Sequence, residues 1–423
     1  MSEVAAESSN RISFLRILKA IGPAIIVASV VLGPGSILSN SKVGAEYGYD
    51  MIWVLALASL FMALTVFLAA VLGISYEHSP FTEIAQRLGR PFTVVIGVVF
   101  FLITSCFQFT NNLAIIAVVN IASGGQEEGG TIANLGSLLV IVLVNLGLVW
   151  ALYGSKAPYQ FIEKLMMVMV GIMLVGFVIN LIVVQPPIGE VARGFIPQLP
   201  KGGNIVMLLG MFATTYSIAG AFYQIYGVRE KKWTRNDLAN GIVDSIAGIL
   251  VLGGISFVIM VTSATVLRGS DVSTVTDVAK QLNPLIGPQA EWMFCIGLAA
   301  GAFSSLLVNA LIGGTALSDS LGLPASVNDS PVKLFTVFGL VIGMIAAIII
   351  NWLQWPKVNL IVTAQALTVV GVPLLAFAML FLSIHLPKSG LKITACAIAS
   401  CSLLIALMLS GNMVWKLVQP LFG

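Results

Sequence analysis

The chain has 423 residues, of which 58% are hydrophobic and only 9% charged, with a formal net charge of +3 and a mean hydropathy of +1.00. So few charges could not cover the surface of a soluble domain of this length, which leaves a polytopic membrane protein with the lipid bilayer as its first partner. The small net charge offers no basic surface for nucleic acid.

In chain order, residues 1–16 are polar and read as a cytoplasmic tail. Met1 to Asn10 lack the charged start, short apolar core and small-residue cleavage site of a signal peptide, so none is expected. Apolar runs long enough to cross a bilayer then fall at 17–43, 51–74, 92–122, 131–153, 160–184, 204–228, 238–267, 287–318, 333–352, 358–384 and 391–415. The fold class is therefore an all-α polytopic membrane protein with about eleven transmembrane helices. The links are short and carry turn chemistry, as at Gly124-Gly125, Pro186-Pro187 and Trp355-Pro356-Lys357. Residues 76–90, with Pro80, Glu83 and Arg87, read as a short amphipathic piece at the inner face.

The first run is interrupted. It reads as helix from Ile17 to Leu32, meets Gly33-Pro34-Gly35-Ser36, and resumes at Ile37. Glycine and proline are poor helix residues, and unpaired backbone at membrane depth survives only where it is buried in protein or lines a cavity. The sixth run carries a comparable weak stretch from Gly210 to Gly220, rich in small and hydroxylated residues, with unwinding expected at Ala213–Tyr216. Breaks at matching positions divide the chain into halves at 17–184 and 204–384, with 391–415 as an eleventh helix outside them, and point to a midplane binding site of the kind found in secondary transporters.

Lys and Arg are biased roughly two to one towards one side when the N-terminus is placed inside, with Arg229-Glu230-Lys231-Lys232 as the anchor of a cytoplasmic N-terminus in the cell inner membrane. The span centres hold almost nothing ionisable. Asp244 lies near the inner end of span 7, Glu163 and Lys164 open span 5, and the two histidines, His78 and His385, fall in inner loops. A proton relay needs acidic or imidazole groups at membrane depth, so proton coupling is not expected. The four cysteines, Cys106, Cys295, Cys396 and Cys401, all lie in apolar runs and read as small buried hydrophobes. Nothing resembles a nucleophile–base pair, so no enzyme activity is expected.

What the centre does offer is neutral oxygen. The candidate substrate-binding set is Gly33, Ser36, Ala213, Thr214, Tyr216, Ser217 and Gln365, with a polar pathway at Gln108, Asn111 and Asn40. For a bound metal ion the set narrows to the Gly33 and Ala213 backbone carbonyls with Ser36. Such a shell suits Mg²⁺, which keeps several waters, or a monovalent cation, or a neutral or zwitterionic solute. Transition metals favour imidazole and sulfur donors that these positions lack.

The stretch Gly22-Pro23-Ala24, Leu32-Gly33-Pro34-Gly35-Ser36, Lys42 to Tyr49 and Trp53-Val54-Leu55 resembles the start of the Nramp family of divalent metal transporters. Leu72-Gly73-Ile74 with Glu83, Leu298-Ala299-Ala300-Gly301 with Ser304-Ser305, and Pro373-Leu374-Leu375 resemble its second, eighth and tenth helices, so the likeness runs along nearly the whole chain. It implies a LeuT-type 5+5 inverted repeat with broken helices 1 and 6 and transport by alternating access. The departures are as informative. The family's first-helix Asp falls on Gly33 and its Asn on Ser36; its sixth-helix Met falls on Tyr216, with the following Pro and His on Ser217 and Ile218. The acidic pair of its third helix falls on Gln108 and Asn111. One tenth-helix Gln matches Gln365, while a second aligns with Gly371.

The expected function is thus a Nramp-related secondary transporter of a metal ion, a hydrated Mg²⁺-like cation rather than Mn²⁺ or Fe²⁺, without proton coupling. The alternative is a sodium-coupled carrier of a small organic solute such as an amino acid. The break also resembles that of sodium-coupled amino-acid transporters of the same fold, and Gly301, Ser304 and Ser305 would then meet the carbonyls of Ser29 and Leu32 in a sodium site. No cofactor is expected beyond a co-transported ion, and a monomer suffices.

Overall fold

The structure is a computed structural model that describes residues 33–123, 131–154, 156–198, 204–234, 237–352, 355–387 and 390–419. Among the described residues it is entirely helical. The principal helices are α1 (Pro34–Tyr47), α2 (Ile52–Ser75), α4 (Arg90–Ala122), α5 (Thr131–Tyr153), α6 (Lys156–Val184), α8 (Ile205–Thr215) continued by α9 (Ile218–Glu230), α10 (Leu238–Val266), α13 (Ala290–Ser320), α14 (Ser330–Asn351), α15 (Lys357–Thr368) continued by α16 (Val372–Ile384), and α17 (Gly390–Val418). Short helices α3 (Pro80–Leu88), α7 (Ile188–Arg193), α11 (Val275–Ala279) and α12 (Asn283–Ile286) occupy the connections. Each expected span has its helix. The first half of span 1, the tail at 1–16 and the loop bearing Gly124-Gly125 lie outside the described residues.

Apolar side chains fill the interior and also cover much of the outer surface. On α5, Leu135, Leu139, Leu143, Leu146 and Trp150 recur at intervals of three and four along one face and are largely exposed, Leu135 by 70%. A helical stripe of exposed leucine is what lipid covers. The polar groups are turned inward instead: Gln108, Asn112 and Gln365 are buried. The long helix α13 is the centre of the bundle and packs against α4, α14 and α6, while α1 packs on α10 and α8, and α9 on α2. Small residues let these helices nest. A methyl group at Gly210 on α8 would sit 2.9 Å from the Val362 carbonyl of α15.

At the first expected break the described residues begin, and a helix starts there. Gly33 is extended (φ −84°, ψ −178°) and Pro34 opens α1, where its missing N–H costs nothing. The second break falls later than the sequence suggested. The helix continues through Ala213 and Thr214 to Thr215, and the chain leaves it only at Tyr216 (ψ 71°) and Ser217 (ψ 91°). Ser217 then caps α9, its Oγ accepting from the Gly220 N–H at 3.3 Å. N-cap chemistry, with no proline, makes this interruption. A third break was not expected: the run at 358–384 is split at 369–371. Pro373 has no N–H for the carbonyl one turn back, so α15 cannot run on into α16.

The amphipathic piece at 76–90 is α3. Its Glu83 carboxylate pairs with Arg87 Nη1 at 3.1 Å and His78 Nδ1 at 3.1 Å. Burial pushes that carboxyl up, but the hydrogen bonds from Arg87 and His78 outweigh it and hold it below the usual carboxylate range.

Candidate functional site

The first two breaks lie side by side and, with α4, α13 and α15, enclose a small cavity of about 20 Å³, room for one water-sized occupant. Gly33, Gly35 and Ser36 supply the wall from the first break, and Thr214 and Ser217 that from the second. Phe107 and Asn111 on α4, Ser305 and Asn309 on α13, and Gln365 on α15 complete it. The glycines are there for space. A Cβ at 33 would lie 3.1 Å from Ser305 Oγ, and one at 35 would overlap the Gln365 carboxamide.

Hydrogen bonds fix most of the polar groups around the cavity. Thr214 Oγ1 donates backwards to the Met211 carbonyl at 3.0 Å, which leaves its lone pairs for the cavity. Gln365 Nε2 donates to Thr110 Oγ1 at 2.9 Å, and its Oε1 is buried without a partner. Asn309 Nδ2 donates to the carbonyl and hydroxyl of Ser305 at 3.0 and 2.7 Å, so its carboxamide oxygen is the atom left to face the space. Asn40 braces the first break from behind, donating to the Ser36 carbonyl at 2.8 Å and its hydroxyl at 3.3 Å. Asn111 Nδ2 is buried without a partner. The lining thus combines oxygen acceptors, at Thr214 and Asn309, with hydroxyls at Ser36 and Ser217 that accept from their neighbours and keep an O–H to donate. Such an uncharged lining can meet a cation, or the water of its shell, without a fixed counter-charge. No group of three or more His, Cys, Asp or Glu among the described residues is placed to hold a metal ion.

Of the residues singled out in the sequence, Gly33, Ser36, Thr214, Ser217, Gln365, Asn111 and Ser305 come together at this cavity. Others do not line it. Ala213 remains inside α8 because the break comes after it, and it packs in the hydrophobic core. Tyr216 turns away. Its ring packs against Phe61 and Phe212, and its hydroxyl lies 3.5 Å from Thr65 Oγ1. Gln108 is buried against α14, where a Cβ on Gly343 would strike it, and neither end of its carboxamide has a partner. Asn40 supports the break from behind it. Gly301 and Ser304 lie on α13 away from the cavity, while Ser29 and Leu32, the other half of the suggested sodium site, fall outside the described residues. The side chains of Asp244, Glu163 and Lys164 are likewise outside the described set. Sequence reasoning missed Asn309, Gly35 and Phe107. Asn309 was legible: it stands one helical turn from Ser305 and so shares its face.

An interrupted membrane helix, α8–α9, set beside the Gly33-Pro34 start of α1 around a small polar cavity is the arrangement of a LeuT-type membrane protein. Solved structures share that fold. One is a mutant of the Eremococcus coleocola manganese transporter, with a TM-score of 0.75 at 15% identity, covering 99% of this chain and 90% of that one. Another is Mhp1, a nucleobase-cation-symport-1 family transporter, with a TM-score of 0.55 at 11% identity, covering 95% of this chain and 93% of that one. At these identities the likeness shows the fold alone.

The particular family follows from the sequence. The model described as "Natural resistance-associated macrophage protein-like" matches residues 24–417, and the chain belongs to this Nramp family. A relative named divalent metal cation transporter MntH, from Deinococcus radiodurans, is 23% identical over 418 residues, covering 95% of this chain and 91% of the relative. A second of that name, from Erwinia tasmaniensis, is 24% identical over 395 residues, covering 89% and 88%.

Proposed function

We propose that the chain carries a small divalent metal cation across the membrane by alternating access, accepting Mg²⁺ at least as readily as Mn²⁺ or Fe²⁺, with no proton movement through the central site. The observation behind this reading is the lining of the cavity, which is made of uncharged hydroxyl and carboxamide groups, with the Thr214 and Asn309 oxygens left free by the bonds their hydrogens make elsewhere. Neutral hydroxyl and carboxamide oxygens are hard donors. They bind Mg²⁺-like ions without the soft imidazole or sulfur ligands that would favour a transition metal. The relatives are named for divalent cations and the structural neighbour for manganese; this chain has Gly33 where the family pattern has its carboxylate. Neutral ligands do not offset a double charge, so the ion is expected to enter with part of its water shell in an open form and to keep about one water in the closed one.

We take residues 17–184 and 204–384 as the two inverted repeats, and the face carrying Arg229, Lys231 and Lys232 as cytoplasmic, on the positive-inside bias. The alternative, a sodium-coupled organic solute, draws on the N-termini of α1 and α9, which both open on the cavity and could hold a carboxylate. The size of the closed cavity favours the ion over an amino acid.

Uptake into proteoliposomes of Mg²⁺, Mn²⁺ and a panel of amino acids, with and without sodium and pH gradients, tests this. The proposal expects saturable Mg²⁺ and Mn²⁺ flux indifferent to both gradients. Sodium-dependent amino-acid uptake without divalent flux would overturn it, and proton-driven flux confined to Mn²⁺ would overturn the Mg²⁺-like reading.

A further inference from the structure

The inner end of α13 holds a buried carboxylate that the central cavity does not use. Asp319 is 2% exposed. Its oxygens accept from Ser79 Oγ at 2.5 Å, Thr82 Oγ1 at 3.3 Å and the Phe81 N–H at 3.2 Å, all at the start of α3. They also accept from the Tyr226 hydroxyl of α9 at 2.7 Å. Arg90 donates to the Asp319 backbone carbonyl at 3.1 Å. Tyr226 sits eight residues into α9, about 12 Å beyond the second break.

Arg229, on the next turn, does something different. Its guanidinium donates to the carbonyls of Tyr76 and Glu77, each at 2.5 Å, just past the end of α2. Since α9 also packs on α2, these bonds join α9 and α2 into one unit. The Tyr226–Asp319 bond is the polar link that crosses from this unit to α13. The two residues line a larger cavity of about 380 Å³ on this face. Thr315, one turn before Asp319, lines it too, and a space of this size walled by Ser79, Thr82, Arg229 and Glu230 holds water. Along α13, Asn309 of the central cavity and Asp319 stand ten residues apart, about 15 Å.

We propose that Tyr226 and Asp319 form the inner latch of the transport cycle. The pair positions α9 across the path between the central cavity and this vestibule, and its rupture opens the cavity to the face bearing Lys231 and Lys232. The geometry makes the latch reversible. When Tyr226 withdraws, Ser79, Thr82 and the Phe81 N–H still satisfy the carboxylate, so opening strands no buried charge. The Tyr226 hydroxyl moves into a wet cavity where water replaces its partner. The proposal rests on alternating access but not on which ion is carried.

The test uses Tyr226→Phe, which deletes one oxygen, in a full-length background with Cys106, Cys295, Cys396 and Cys401 changed to Ser and a reporter Ser217→Cys in the central cavity. A membrane-impermeant maleimide is applied from each side in turn. Labelling from the Lys231 face should accelerate about tenfold over the parent, with labelling from the other face slowed. In a double-mutant cycle with Asp319→Asn, the double variant should open no further than Tyr226→Phe alone. An unchanged labelling rate in Tyr226→Phe, or effects of the two substitutions that simply add, would overturn the latch. Because labelling needs no substrate, accelerated labelling without divalent uptake would leave the latch standing and remove the ion reading instead.

Discussion

Gly33→Asp places a carboxylate where the family pattern has one and probes the charge of the site directly. The backbone at 33 is extended and accepts an L-residue without strain. The new Cβ would lie 3.1 Å from Ser305 Oγ and 3.5 Å from Asn111 Oδ1, so Ser305 must give by a few tenths of an ångström. The carboxylate then enters a space lined by uncharged groups, with no cation among them. Without a cation it is a buried charge with no partner, and the fold loses about 3 kcal/mol or the acid stays protonated. With a divalent ion about 4 Å away through one water, the attraction is ~8 kcal/mol at an effective dielectric near 20, and desolvation of the carboxylate removes most of it. A net gain of about 1.5–3 kcal/mol remains, comparable to a hydrogen bond to a charged group, or ~10–150-fold in Kd. Titration calorimetry and thermal unfolding in detergent, with and without Mg²⁺ and Mn²⁺, read both effects. The variant should melt lower than the parent without metal and be stabilised more steeply by it. Unchanged affinity for both ions in a folded variant would refute the placement of the ion beside Gly33.

Three other substitutions bear on the same account. Tyr216→Met restores the residue type of the family pattern at a position whose side chain faces Thr65 and Phe61, so it should lower the melting temperature and leave the ratio of Mn²⁺ to Mg²⁺ uptake unchanged. Thr214→Val removes a cavity oxygen whose only hydrogen bond is to its own helix; divalent affinity should weaken ~3–10-fold, about 1 kcal/mol, with little change in unfolding. Glu83 has its carboxyl held below the ordinary range in the folded protein, so the unfolded chain binds the proton first and stability falls as pH drops below about 4.5. Glu83→Gln should flatten that acid limb in a series of melting curves from pH 3 to 6, and an unaltered limb would show that other carboxylates set it.

The architecture was legible because membrane-length apolar runs and helix breakers are local signals. Gly33-Pro34-Gly35 announces a helix boundary in the residues themselves, and the structure starts α1 there, at the cavity. The second interruption was legible in place but not in register. Threonine can stay helical by bonding backwards, as Thr214 does to Met211, so the turn waits for the cap at Ser217. The third, ahead of Pro373, was written as plainly as the first, but the apolar run at 358–384 read as continuous. Side-chain direction was the harder part. Tyr216 and Gln108 stand where a family alignment expects site residues, yet one packs into the core and the other against Gly343. Which way a side chain leaves an irregular backbone depends on neighbours from distant helices, and a linear pattern does not carry that. The bond from Gln365 to Thr110, which fixes the carboxamide beside the cavity, emerges only once α15 and α4 are packed together.

The claim that the central cavity is a cation site of neutral oxygens is tested most directly by anomalous scattering from crystals soaked in Mn²⁺, followed by competition with Mg²⁺. The account predicts a peak between the two breaks, within direct or one-water reach of Ser36, Thr214, Asn309 and Gln365, that fades as Mg²⁺ is raised. A cavity that stays empty while divalent ions are transported, or a peak that excess Mg²⁺ does not displace, would contradict it.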